Sequence, residues 1–303
     1  MRLFAPRYYK DFKCIADKCR HSCCTGWEID IDSDTLARYE GGVGGYREKI
    51  KQSIEYADTP HFRLSENEKC PHLNECGLCN IITELGEGWL CDICREHPRF
   101  YNDTPHGREV GLGMACEEAC RLILASDSYA KMTELCECFA EKTDFEFDTV
   151  AEREKIYSIL SDASIPYEKR LLTLWERYGA SPRILSDGEW RDVICSLEYL
   201  QCKSKGLFSV YSSEEYTPSE YEVLLERFLA YLIFRHATPA KTEERFRSAL
   251  GFAFFTERLF ASILKAQKNI DMETILEYAR VISEELEYSL ENTDTVMLEF
   301  EFI

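Results

Sequence analysis

No stretch of this chain approaches the roughly 20 consecutive apolar residues that a membrane-spanning helix needs. Its longest apolar runs, near Phe228–Phe234 and Gly251–Phe255, are short and flanked by charge. The first twelve residues carry charge throughout and hold no apolar core of a secretory leader, so a cytoplasmic setting is expected and a membrane partner is not. Basic residues are in deficit, 36 Lys and Arg against 55 Asp and Glu, and the formal net charge is −19. Nucleic-acid binding needs a basic surface to meet phosphate, so that class of partner is excluded from the reading. The glycine fingerprint of a dinucleotide fold is missing as well. The stretch Gly41-Gly42-Val43-Gly44-Gly45 lacks the Gly-Lys-Ser/Thr ending of a phosphate loop and follows a helical segment, so it reads as a linker. No internal repeat and no low-complexity tail is expected.

What the chain does have is a core and a surplus of cysteine. Hydrophobic residues make up 45% of its 303 positions and aromatics 13%, which is enough for a packed interior and too much for disorder. The acidic balance keeps such a chain in solution, and its field attracts lysine-rich surfaces. Fifteen cysteines cannot persist as a disulfide framework in a reducing compartment, and the odd total leaves one thiol over in any full pairing. Thiolates in that number are expected to ligate metal. Thirteen of them lie between Cys14 and Cys138, and only Cys195 and Cys202 follow. The expected architecture is therefore mainly α: a cysteine-rich, loop-dominated, metal-binding N-terminal half (1–125) packed on a helical C-terminal half (126–303).

Periodicity supplies the elements. Helices are predicted over Ser33–Tyr39 and Tyr46–Tyr56, then Cys116–Ser126 and Tyr129–Lys142. Pro166 suits a first helical turn, and Leu171, Leu172, Trp175 and Tyr178 form an apolar face ending at Gly179. Ser186 followed by Glu189 matches a capping box and opens a helix whose face is Trp190, Val193, Ile194 and Leu197. Three longer helices are predicted near 219–235, 243–267 and 271–291. Asp271 is the N-cap of the last, and Ile275, Leu276, Ala279, Ile282 and Leu286 are its buried stripe.

Two cysteine clusters carry the chemistry. The first is Cys14-x4-Cys19-x3-Cys23-Cys24. Sulfur ligands a few residues apart on a loop converge on a zinc ion or an iron–sulfur cluster at little closure cost. Neighbouring side chains diverge, so Cys23 and Cys24 do not easily share one ion; one of the two bridges, supports or reacts. The second cluster contains Cys70, then Cys76-x2-Cys79 and Cys91-x2-Cys94, whose pairs have the spacing of a four-thiolate zinc knuckle. One shared centre and two separate centres both stay open. Cys14, Cys19, Cys23 and Cys24 are the first candidate ligands, followed by Cys79, Cys94, Cys91 and Cys70. Cys116 and Cys120, four apart on a helix, are read as core residues, and Cys136, Cys138, Cys195 and Cys202 as core or surface thiols. His21, His72 and His97 lie within the clusters as ligands, proton carriers or plain hydrogen-bonding groups. His61, His106 and His236 have no supporting context.

The opening Phe-x-Cys-Ile…Cys…Ser-Cys-Cys-Thr-Gly-Trp-Glu-Ile-Asp-Ile-Asp resembles the start of flagellin lysine-N-methylase family proteins. So do the blocks Cys70-Pro71-His72-Leu73, Gly77-Leu78-Cys79, Leu90-Cys91, Cys94-Arg95 and Pro98-Arg99-Phe100. They are also similar to the wider group named for a CxxCxxCC iron- or zinc-chelating segment. The block from Glu109 to Leu124 resembles the family's next segment, where proline commonly follows the cysteine; Glu117 stands in its place here. The resemblance implies methyl transfer from S-adenosylmethionine to lysine amines of a protein, flagellin by family, with a [4Fe–4S] cluster as cofactor and zinc as the alternative. The contiguous CxxxCxxC of radical enzymes is absent, so a polar transfer is expected. Tyr101, Glu96 and His97 are the candidate bases. Two non-enzymatic readings stand beside it: a metal-chelating or metal-delivery protein, and a zinc-stapled module whose acidic helical half grips a basic partner.

Overall fold

A computed structural model describes residues 2–137, 144–214, 219–267 and 270–301. The chain forms two compact units, one continuous over Lys13–Arg99 and one assembled from Met1–Phe12 with Phe100–Ile303. The architecture is mainly helical, as the periodicity predicts.

The Lys13–Arg99 unit is loop-dominated. Its regular elements are the helices Ser33–Gly41, Tyr46–Ser53, Asn80–Leu85 and Asp92–Glu96, with a two-stranded antiparallel ribbon, Ile54–Glu55 against His61–Phe62. Ile29, Ile31, Tyr39, Ile50, Ile54, Phe62, Ile81 and Leu90 form its core. The Gly41–Gly45 stretch joins the first two helices, and Gly44 and Gly45 adopt positive φ, +77° and +62°, a backbone region that side chains disfavour.

The second unit combines a four-stranded mixed sheet with a helical body. The strand order is Arg99–Thr104, Gly107–Leu112, Arg2–Pro6, Met132–Glu137. Arg2–Pro6 runs parallel to Gly107–Leu112 and antiparallel to Met132–Glu137, where the register shifts between Leu3 and Phe4. Gly107, at φ +145°, lies so close to the first strand that a Cβ there would stand 2.8 Å from the carbonyl oxygen of Arg2.

The strand Met132–Glu137 corrects the helix predicted over Tyr129–Lys142, whose residues 138–142, Cys138 included, lie outside the described ones. Its Glu, Leu and Met residues suit a helix in isolation, but pairing with Arg2–Pro6 outweighs propensities worth only tenths of a kcal/mol per residue.

The helical body follows its local signals closely. Ser186 Oγ accepts from the Glu189 N–H, and the Glu189 carboxylate accepts from the Ser186 N–H, which closes the capping box. Gly179 ends helix Tyr167–Tyr178 in the left-handed region, and Asp271 caps Met272–Ile282 through the Thr274 N–H. Helix Glu243–Ala266 is buried on every side between Ser248 and Leu264 and forms the spine of this unit. Two helices end in single π-helical turns: Glu222–Leu232 runs into Ile233–Ala237, and Met272–Ile282 into Ser283–Glu287. Among the described residues no helix is long and apolar enough to cross a membrane.

Candidate metal centre

Three backbone devices bring cysteines together within Lys13–Arg99. First, residues 24–26 run antiparallel to 68–70: the Cys70 N–H donates to the Cys24 carbonyl at 2.8 Å and the Gly26 N–H to that of Glu68 at 2.9 Å. This holds Cys24 beside Cys70. Second, Asn74 closes a tight loop. Its Oδ1 accepts from the N–H groups of Cys76 and Leu78, at 3.0 and 2.9 Å, and Gly77 supplies the positive φ of the turn. The chain thereby returns, and Asn80 N–H donates to the His72 carbonyl at 2.7 Å, setting Cys79 near Cys70. Third, Cys91 and Cys94 frame one short helical turn. That turn is tied to helix Ser33–Gly41 by Asp32, whose Oδ1 accepts from Thr35 N–H at 2.9 Å and whose Oδ2 accepts from Asp92 N–H at 2.8 Å.

Electrostatics reports the resulting proximity. Burial pushes the Cys70 thiol up to about 12, and the charges of Cys24, Cys79 and Cys91 add to the rise. Burial raises Cys79 too, with Cys24 and Cys91 contributing. The Cys94 thiol donates to Cys91, which raises Cys94 and lowers Cys91; burial and the charges of Cys91, Cys24 and Cys70 raise Cys94 further. A hydrogen bond from Cys23 lowers Cys24 to about 7, against the opposing effect of its burial. Three of the eight expected ligands, Cys70, Cys79 and Cys94, are thus raised by the charges of neighbouring cysteines, Cys24 and Cys91 among them, and Cys70 and Cys91 are buried.

The other three differ. Cys23 stands beside Cys24 as its hydrogen-bond donor. The Cys19 thiol donates to the His21 carbonyl at 3.0 Å, and exposed Cys14 accepts from Ala16 N–H at 3.4 Å. Cys76, the partner of Cys79 in the knuckle spacing, is exposed.

The donor set suits a soft or borderline centre such as zinc or an iron–sulfur cluster. Its arrangement is not a finished one: among the described residues, no group of three or more His, Cys, Asp or Glu side chains has the geometry of a metal site. The sulfurs are gathered without forming a coordination shell.

His72 is accounted for without a metal. It is buried, and Ser53 Oγ spends its single proton on the Ile50 carbonyl at 2.6 Å. Nε2–H of His72 therefore donates to Ser53 Oγ, and Nδ1 accepts from the Tyr46 hydroxyl, each at 2.9 Å. Burial lowers this imidazole to about 4, so it stays neutral with both nitrogens committed. The His97 ring lies 6.4 Å from that of Trp27, whose Nε1–H donates to the Cys23 carbonyl at 2.8 Å. Glu96 pairs with Arg95 at 3.6 Å, and Tyr101, in the other unit, carries Arg108 over its ring.

In that other unit Cys120 belongs to the core and its thiol donates to the Leu276 carbonyl at 3.6 Å, while Cys136, Cys195 and Cys202 are exposed. His236, for which the sequence offers no context, donates Nε2–H to the buried Glu287 carboxylate at 2.8 Å, and Arg235 lies 3.3 Å from the same oxygen. These groups come from the two π-helical turns, and a π-turn is what residue spacing alone does not reveal. Asp32 also went unnoticed in sequence; Asp-x-x-Thr is only a common cap signal, and its second acceptor role requires the tertiary contact with Asp92.

Fold and site together define a mainly helical protein with a separate thiol-gathering unit. Over 126 residues, 39% of the chain, it is 29% identical to proteins named lysine-N-methylase from Salmonella choleraesuis (strain SC-B67) and Salmonella typhimurium (strain LT2). It is 28% identical over the same length to the flagellar biosynthetic protein FliU of Salmonella muenchen, covering 75% of that protein. The match spans about a third, 31%, of the length of the two lysine-N-methylases. No family model and no solved structure matches the chain.

Proposed function

We propose that the chain is a lysine-N-methylase-like protein whose Lys13–Arg99 unit folds around an iron–sulfur cluster, or zinc in its place. The observation that carries this reading is the 126-residue similarity to two proteins named lysine-N-methylase. The gathering of Cys24, Cys70, Cys79, Cys91 and Cys94 supports its metal half. Four of these five would complete such a centre, with the fifth thiol and Cys23 beside it. A cation among them would offset the mutual destabilisation of neighbouring thiolates, and binding would add folding free energy to a unit with a small apolar core. When bound, the cluster would staple the unit or hold the amino-acid end of S-adenosylmethionine.

The proposed reaction passes a methyl group from the sulfonium of S-adenosylmethionine to a neutral lysine amine. The C–S bond breaks as the C–N bond forms, leaving a thioether and releasing a proton. The substrate is a protein with exposed lysines, flagellin by the family resemblance of the cysteine motifs, and the relatives' names speak of a lysine methylase and of flagellar biosynthesis. Anaerobic purification with metal and acid-labile sulfide analysis, followed by incubation with flagellin and methyl-labelled S-adenosylmethionine, tests both halves. Iron with sulfide and a mass gain of one or more methyl groups on lysine supports the reading; metal-free folded protein without transfer overturns it. The shortness of the match favours one rival, a metal-binding module without the transferase activity. It would yield bound metal and no methylation.

A further inference from the structure

At the surface of the helical unit lies a cavity of about 140 Å³, lined chiefly by Glu198, Tyr199, Leu200, Glu284, Glu285 and Tyr288. Cofactor and drug-sized sites run to about 300–1,000 Å³, so this one has room for a single side chain. Its walls are preformed. Asn292 clamps the turn through Glu198, accepting from its N–H at 2.9 Å and donating to its carbonyl at 2.7 Å. The Glu285 side chain accepts from the N–H groups of Leu200 and Gln201, at 2.8 and 3.1 Å, which holds it in place. Glu284 accepts from Gln201 Nε2 at 3.3 Å and pairs with Arg280 at 3.0 Å, a guanidinium that also serves Glu277. The opposite wall is the π-helical turn Ser283–Glu287, an irregularity that recurs at functional sites. Of the lining residues Leu200 is 64% exposed and Tyr288 46%, and Leu290, next in sequence after the lining Ser289, is 81% exposed. One exposed leucine is ordinary; here one lines an acidic cavity together with a half-exposed tyrosine, and a second follows the lining in sequence.

We infer that this groove docks a protein segment that presents a lysine or arginine flanked by apolar side chains. The alkyl stem lies along the Tyr199 and Tyr288 rings, the cationic head meets Glu198 and Glu284, and the flanking apolar groups cover Leu200 and Leu290. Charge complementarity selects the occupant: five carboxylates, Glu198, Glu277, Glu284, Glu285 and Glu287, stand against two guanidiniums, Arg280 and the Arg235 that lies 4.6 Å over the Tyr288 ring, and the chain's net charge of −19 draws basic segments toward it. The inference stands whether or not the cysteine unit holds metal or transfers methyl groups.

Fluorescence anisotropy on the full chain tests it. The probe is a labelled Gly/Ser decapeptide with a central Leu-Lys-Leu, compared with the same peptide carrying N-acetyl-lysine. Saturable binding of the lysine peptide is expected, weaker by about fivefold on acetylation and further weakened by salt. Glu198→Gln and Leu290→Ser, both at exposed positions, should each weaken it while far-UV circular dichroism stays unchanged. Equal affinity for the acetylated peptide, or affinity unmoved in both variants, overturns the proposal.

Discussion

Replacing Asp32 by alanine removes one acceptor from each of two helices at once. Oδ1 caps Ser33–Gly41 through Thr35 N–H at 2.9 Å, and an N-cap lost to alanine costs about 1 kcal/mol. Oδ2 receives Asp92 N–H at 2.8 Å, and orphaning that amide costs about 1–2 kcal/mol more. The sum, about 2–3 kcal/mol, corresponds to a roughly 30- to 150-fold rise in local opening. Hydrogen exchange at the Thr35 and Asp92 amides measures it, with exposed Asp58→Ala as the control. Asp32→Asn retains one acceptor oxygen and turns an NH₂ group toward the other N–H, so it should lose about half as much protection. Burial alone would raise the Asp32 carboxyl, but the Asp92 and Thr35 donors outweigh it and hold the group below its ordinary value. The contribution is therefore present above the ordinary carboxylate range and lost as pH falls through the depressed folded value; Asp32→Ala should flatten that acid limb. Unchanged exchange at both amides in Asp32→Ala would refute the claim that this side chain ties the Cys91–Cys94 turn in place.

Cys24→Ser and Cys91→Ser should each lose metal and lower the melting temperature of the cysteine-rich unit, whereas exposed Cys202→Ser does neither; elemental analysis with calorimetry separates the cases, and identical behaviour of all three refutes the ligand assignment. Gly251→Ala should lower stability by about 1–3 kcal/mol despite alanine's better helix propensity, because its Cβ would stand 2.2 Å from the Phe300 ring; denaturant titration reads this directly. Glu287→Leu leaves Arg235 buried without its carboxylate and should cost about 3–5 kcal/mol by the same measurement. Burial opposes the ionised form of Glu287, but Arg235 and His236 hold its carboxyl below the ordinary value, so the native pair weakens only as acid brings pH down through that value.

Much of the helical unit was legible because its determinants are local. Ser186 with Glu189, Asp271 with Thr274, and Gly179 after Tyr178 act within one helical turn, so three or four residues carry the whole signal. The stripe Ile275, Leu276, Ala279, Ile282 and Leu286 reads as buried for the same reason, and all but the half-buried Leu276 are buried. The strand Met132–Glu137 was not legible, since its partner Arg2–Pro6 lies some 130 residues away and the segment's own composition favours a helix. Nor were the π-turns that carry Arg235, His236 and Glu287.

At the candidate centre, spacing named the thiols but could not group them. Neighbours in sequence were separated: Cys76 is exposed while Cys79 joins Cys70, and Cys14 and Cys19 form local hydrogen bonds while Cys24 joins the second cluster. The number of cysteines and the acidic balance are matters of composition, the caps at Ser186, Gly179 and Asp271 belong to single helical turns, and the sequence alone determined them. Which sulfurs share a charge field, and that His72 is saturated by Tyr46 and Ser53, depends on hydrogen bonds between segments as many as 60 residues apart. Those contacts exist only once loop closure has been offset by burial, and that is decided by the tertiary structure.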